Sequence, residues 1–154
     1  CLESTLYAPN ETLERVLRHT DVLIADVKCM DSAKHERYTG VGNEQILANL
    51  AFAIRSVERA IVRIPVIPGF NDTPEDLDAF VAFASDVLRG AVWRIELLEF
   101  MHLGEEKCRS LGRAYPMRDV AFEREELHER VRKLQQALSA CGIDCTLNGR
   151  GAGK

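Results

Sequence analysis

Two hydrophobic periods alternate along this chain. Short β-branched and aliphatic runs recur at Asp21–Lys28, Ala60–Ile67, Ala91–Phe100 and Ile143–Leu147, and Cys1–Thr5 has the character of a strand's tail. Between them lie stretches with helical spacing. Asn10 is placed to cap a helix over Glu11–His19, with Glu11 in its first turn, and Asp31 to cap a short one through Glu36, before the turn at Thr39-Gly40. From Asn43 onward, Ile46, Leu47, Leu50, Ala53 and Ile54 form an apolar stripe. Thr73-Pro74-Glu75-Asp76 is a helix start with a hydroxyl cap, proline at the first position and acids behind it; that helix runs to about Leu88 and stops near Gly90. A loop and short helix span Gly104–Leu111, and Leu127, Val131, Leu134 and Leu138 mark a long helix over Glu123–Cys141, stopped by Gly142. Strands alternating with crossover helices predict an α/β fold with a parallel sheet, wound right-handed. Three such units and a last strand predict part of an incomplete TIM-type α/β barrel over residues 1–147, followed by a flexible glycine-rich tail over 148–154.

The stretch DVLIADVKCMD organises the candidate chemistry. Strand alternation places Ile24, Asp26 and Lys28 on one face and Leu23, Ala25 and Val27 on the other. Two opposite charges therefore share a face at the carboxyl end of an otherwise apolar strand, where ligands sit in parallel sheets. Such charges need a partner or a ligand; a structural Asp–Lys pair closing the strand end is the alternative. On the next strand Arg63 and Pro65 share a face, and a guanidinium within a sheet needs a carboxylate, phosphate or carbonyl. The alternative there is a buried ion pair with Asp26 or Glu96. Glu3-Ser4-Thr5 offers an acid and two hydroxyls at a strand end, suited to a hard cation or a ligand amine, though a helix-entry turn explains it as well. His102 follows the third complete strand and is placed to hydrogen-bond a ligand.

Composition narrows the classes. A chain of 154 residues, 46% hydrophobic and 29% charged, is expected to form one globular domain. Its net charge of −4, with mixed signs, argues against a nucleic-acid partner. No apolar run has the length of a membrane span. Five scattered cysteines suit a reducing cytoplasm, and Cys141 with Cys145 make a poor metal site without a second pair. The terminal GRGAGK lacks the spacing of a P-loop. Asn71-Asp72-Thr73 reads as helix capping, the charges from Glu123 to Lys133 as a solvated helix face, and His35 and His128 have no evident partners. A first residue Cys1 in place of Met suggests a piece of a longer protein.

The segments DVLIADVKCMDSAKHERYTGVGNEQILANL, VRIPVIPGFNDTPEDL and RIELLEFMHLGEEKCRSLGRAYP, in that order and spacing, resemble the glycyl-radical-enzyme activating enzymes, typified by pyruvate formate-lyase activating enzyme, of the radical S-adenosylmethionine superfamily. The resemblance implies the C-terminal portion of a partial α/β barrel that holds S-adenosylmethionine and a [4Fe–4S] cluster. It implies reductive cleavage to a 5′-deoxyadenosyl radical, hydrogen abstraction from a glycine of a partner glycyl radical enzyme, and a flavodoxin- or ferredoxin-type electron donor. Asp26 and Lys28 match the pair near the cofactor's methionyl end, Arg63 the arginine near the nucleoside, and Pro65 the wall beside it. Glu3, Ser4 and Asp26 match a monovalent-cation site, with Glu3 where the family usually has Asp. Two departures stand out. The cluster motif C-x-x-x-C-x-x-C and the GGE segment are absent, so the cluster ligands are not in this chain, which alone is expected to be inactive. LLEFMHLG stands where the family usually reads LLPYHxLG, so the histidine's place falls on Met101 and His102 lies one residue later. The alternatives are a non-catalytic fragment or split subunit that only docks to a partner, and a barrel lyase using Lys28 as a Schiff-base nucleophile.

Overall fold

A computed structural model describes residues 1–148. Its order is β1 (Leu2–Ser4), α1 (Asn10–Leu17), β2 (Val22–Asp26), α2 (Ser32–Thr39), α3 (Glu44–Ala53), β3 (Arg59–Val66), α4 (Pro74–Phe83, continued by a π turn over Ala84–Leu88), β4 (Arg94–Glu99), α5 (Glu105–Ser110), α6 (Arg124–Ala140) and β5 (Cys145–Leu147). The five strands form one sheet in the order β1-β2-β3-β4-β5, and every neighbouring pair is parallel.

That order decides the architecture. Each crossover moves the chain one strand further in the same direction, so right-handed connections put the helices on one side of the sheet, as in a barrel. Burial agrees. Leu23, Ala25, Val27, Ala60, Val62, Ile64, Val66, Ile95, Leu97 and Cys145 form one core with helix residues such as Leu13, Leu50, Phe80, Val131, Leu134 and Leu138. The intervening strand residues face the opposite side and stay outside this core. The sheet thus has an apolar outer face under helices and an inner face that begins where the barrel's hollow would be.

Local chemistry sets the element ends. Asp31 accepts from the backbone N–H of Lys34 at 2.8 Å, and Gly40, at φ 87°, ends α2 at a conformation that only glycine adopts freely. Thr73 and Asp76 complete a reciprocal capping box ahead of Pro74. Two expectations shift. Asn10 is the first helical residue, with Pro9 in the cap position. Asn43 does open α3, as its N-cap residue, but its side chain makes no cap bond; the amide donates to the carbonyls of Cys29 and Met30, at 2.8 and 2.9 Å. The strand expected from Ala91 starts only at Arg94, because the N–H groups of Ala91 and Val92 turn back to the Leu88 carbonyl. Gly149 onward lies outside the described residues, where most of the expected tail falls; Asn148 is fastened to Glu99 by two hydrogen bonds. Among the described residues no helix is long and apolar enough to cross a membrane.

Leu97, in the middle of β4, is fully buried beneath the helices. Leu97→Ala is expected to lower unfolding free energy by about 2–5 kcal/mol in urea denaturation, through lost burial and the cavity left behind.

Candidate functional site on the inner face of the sheet

Strand register builds the site. In a parallel sheet, residues paired across strands project to the same side. Asp26 pairs with Arg63 and Arg63 with Glu96, while Glu96 pairs with Thr146, giving one polar row across four strands of the inner face. Pro65 and Leu98 form the next row toward the carboxyl ends, and Ile61 and Arg94 the row before. Alternation along the strands therefore brings Asp26, Arg63 and Pro65 to one side; β2 ends at Asp26, short of the expected Lys28, and Lys28 joins this side through its contact with Asp26.

The charges are paired among themselves. Lys28 Nζ donates to Asp26 Oδ2 at 3.2 Å, both side chains being about a quarter to a third exposed. Arg63 Nε donates to Glu96 Oε2 at 2.8 Å, and its Nη1 lies 3.0 Å from Glu3 Oε1, reaching across β2. The hydrogen bond that Arg63 donates to Glu96, with the charges of Glu96 and Glu3, pushes the Arg63 guanidinium above its ordinary range despite partial burial. Asp26 and Arg63 share a row but do not form an ion pair, because each has another partner. Two buried polar atoms on or beside this face, Arg94 Nε and Thr146 Oγ1, have no hydrogen-bond partner among the described residues. Natural proteins leave few such atoms unmatched.

The expected cation ligands are likewise engaged elsewhere. Glu3 is turned to Arg63, Asp26 to Lys28, and Ser4 Oγ accepts from the N–H of Leu6 at 3.0 Å. That last bond steadies a buried Leu6 in the left-handed region at φ 62°, a conformation strained for a leucine. His102 sits in an aromatic cluster of the β4–α6 connection, its ring 5.0 Å from Phe100, 5.9 Å from Phe122 and 6.3 Å from Tyr115; Met101, where the resemblance leads one to expect a histidine, is half-exposed.

Three residues outside the sequence expectations shape the site. Asn71 is fully buried: its amide donates to the carbonyls of Lys28 and Pro65, each at 2.7 Å, and its oxygen accepts from Ile67 N–H at 2.7 Å. It ties the site-bearing ends of β2 and β3 together. His35 is buried and does have partners: its Nδ1 lies 2.7 Å from the Val41 carbonyl and 3.0 Å from Thr39 Oγ1. With Thr5, Tyr7, Asp26, Lys28 and Thr39 it lines a cavity of about 270 Å³ at the rim. Glu96, read only as one structural partner for Arg63, is the buried acid of the polar row. His128 also has a partner, Glu99, far from the row on the outer helix. The sequence signal for Asn71 was an amide two residues after a Pro-Gly turn, a position that capping also explains.

These residues suit a small ligand carrying both signs of charge. Opposite charges, donors with free capacity on Arg63 and orphaned polar atoms lie along one face, a set that suits a small zwitterionic ligand. An iron–sulfur cluster is a different matter. Among the described residues no group of three or more His, Cys, Asp or Glu is placed to hold a metal ion. Cys29 and Cys145 are buried, and burial pushes both thiols up, Cys145 to about 12, away from the thiolate a metal takes.

Asn71→Ala would strip partners from three backbone groups. It is expected to cost on the order of 2–5 kcal/mol in chemical denaturation; a loss within about 0.5 kcal/mol would show that the bridge contributes nothing.

No family model matches the chain. It is 38% identical over 147 residues to the (2S)-3-sulfopropanediol dehydratase activating enzyme of Klebsiella oxytoca, an alignment covering 96% of this chain and 46% of that protein. It is 39% identical over 121 residues to the (2S)-3-sulfopropanediol sulfolyase activating enzyme of Bilophila wadsworthia, covering 77% of this chain and 39% of that one. A crystal structure of a domain of pyruvate-formate lyase-activating enzyme from Bacteroides vulgatus superposes with a TM-score of 0.73 at 26% identity, covering 96% of this chain and 79% of that domain. The chain thus spans less than half the length of these curated relatives. By sequence and by fold, the chain is similar to a portion of these activating enzymes.

Proposed function

We propose that this chain is the C-terminal portion of a radical S-adenosylmethionine activase, whose intact form installs a glycyl radical on a partner enzyme. The inner-face charge row carries this reading: half-buried groups of both signs stand where a barrel holds its ligand. In this reading Asp26 faces the cationic part of the ligand, and Lys28 its carboxylate. Arg63 donates to oxygens of the nucleoside, and Pro65 supplies an apolar wall that excludes water beside them. His102 flanks the far end from its aromatic cluster. A monovalent cation at Glu3, Ser4 and Asp26 belongs to the same proposal and requires Glu3 to exchange Arg63 for the cation.

When bound, S-adenosylmethionine would supply radical hydrogen-abstraction chemistry. The side chains named here hold and orient it; none of them is a catalytic residue. The [4Fe–4S] cluster would be held by residues outside those described, which lack a ligand set for it. A glycyl radical enzyme as partner agrees with the names of the relatives as activating enzymes; a flavodoxin- or ferredoxin-type reductant, which rests on the resemblance alone, and a cytoplasmic location, which rests on the scattered cysteines, complete the proposal.

Equilibrium dialysis of S-adenosylmethionine against the intact protein tests it. Wild type is expected to bind, and Arg63→Ala or Lys28→Ala to weaken binding roughly ten- to hundredfold, about 1.4–2.8 kcal/mol. Absence of binding by wild type, or variants that bind as tightly as wild type, would overturn the proposal.

A further inference from the structure

Arg63 is held from two sides, and the two holds are unlike. On β4, Glu96 is 9% exposed and receives the Arg63 Nε hydrogen at 2.8 Å. On β1, the Glu3 side chain is 62% exposed and meets Nη1 at 3.0 Å. A contact that open is weak, screened by water and readily exchanged. A buried charge pair in register is different, since neither member can leave without stranding the other. The guanidinium is planar with its donors in a fixed fork, so a partner at Nε orients the whole group.

The direction of that orientation matters. Asp26 lies in the same row, one strand to the other side of Arg63, yet the two form no ion pair. Arg63 leans toward β4 instead, and Asp26 keeps its contact with Lys28. Beyond Glu96 on β5, Thr146 is 3% exposed, with a hydroxyl that has no partner among the described residues, so Arg63 is the partner that Glu96 has in this row.

We propose that Glu96 is a positioning residue: it anchors the Arg63 guanidinium on the β4 side, so that the remaining N–H groups of Arg63 face the oxygens of a ligand's nucleoside while Asp26 stays available to the ligand's cationic part. This rests on the reading that the inner face binds S-adenosylmethionine. Without Glu96, Arg63 would fall onto Asp26 and both would be lost to the ligand. Glu3, by contrast, is the contact that the ligand displaces.

The test is a double-mutant cycle in the intact protein, read as S-adenosylmethionine affinity by equilibrium dialysis, with thermal unfolding of every variant alongside. Glu96→Ala is expected to weaken binding roughly ten- to hundredfold, the scale of coupling between residues in contact. Glu96→Gln keeps an acceptor for Nε and is expected to restore affinity to within about threefold of wild type. In an Arg63→Gln background, Glu96→Ala is expected to cause no further loss. If Glu96→Ala does not fold, Glu96→Met, close in length and apolar, takes its place in the cycle. Equal losses in the two backgrounds, a Gln variant as weak as Ala, or an Ala variant as tight as wild type would each overturn the positioning role alone. No binding by wild type would overturn it together with the reading beneath it.

Discussion

The hydrogen bond between Arg63 and Glu96 is the contact on which the inner face depends. Both charges stand within a sheet, where an unpaired ion is expensive, and each makes the other tolerable. Replacing the pair with apolar side chains would suit stability at least as well by general experience with buried ion pairs. Charges at this place therefore point to a purpose on the open face. The winding of the chain supplies that face. Strands added one after another in a single direction leave the packed crossover helices α1, α3, α4 and α6 on one side, and the other side must meet something else.

Asparagines then fix the rim. Asn71 bridges the ends of β2 and β3, Asn43 holds the two carbonyls that follow Lys28, and Asn49 donates to the carbonyls of Leu6 and Ala8 after β1. In each case a side-chain amide fills donor positions that loop backbone cannot supply, and does so from a nearly or fully buried position. The site is thus set by two separate means. Strand alternation decides which side chains point inward, and buried amides decide how far apart the strand ends stand.

Much of this was legible in the residues. The alternation in DVLIADVK gave the face of Asp26 and Lys28, β-branched runs placed four strands, and Thr73-Pro74-Glu75-Asp76 marked a helix start that the structure reproduces as a capping box. What was not legible depends on tertiary partners. Nothing local says that the Asn43 amide turns to Cys29 and Met30 and not to its own helix, or that His35 finds Val41 and Thr39 across a turn. The late start of β4 follows from two N–H groups folding back on Leu88, a choice that hydrophobicity alone does not record. Glu96 was visible as a partner for Arg63, but its burial and the reach of Glu3 across β2 appear only once the register is known.

The ligand site proposed at the polar row can be observed directly. A crystal structure of the intact protein with bound S-adenosylmethionine should show the ligand against Asp26, Lys28 and Arg63 on the inner face, with the Arg63–Glu96 contact kept and the Glu3 contact exchanged. Density for the ligand in the larger groove between α4 and α6, lined by Leu77, Val81, Leu134 and Ala137, with the inner face unchanged, would contradict the account.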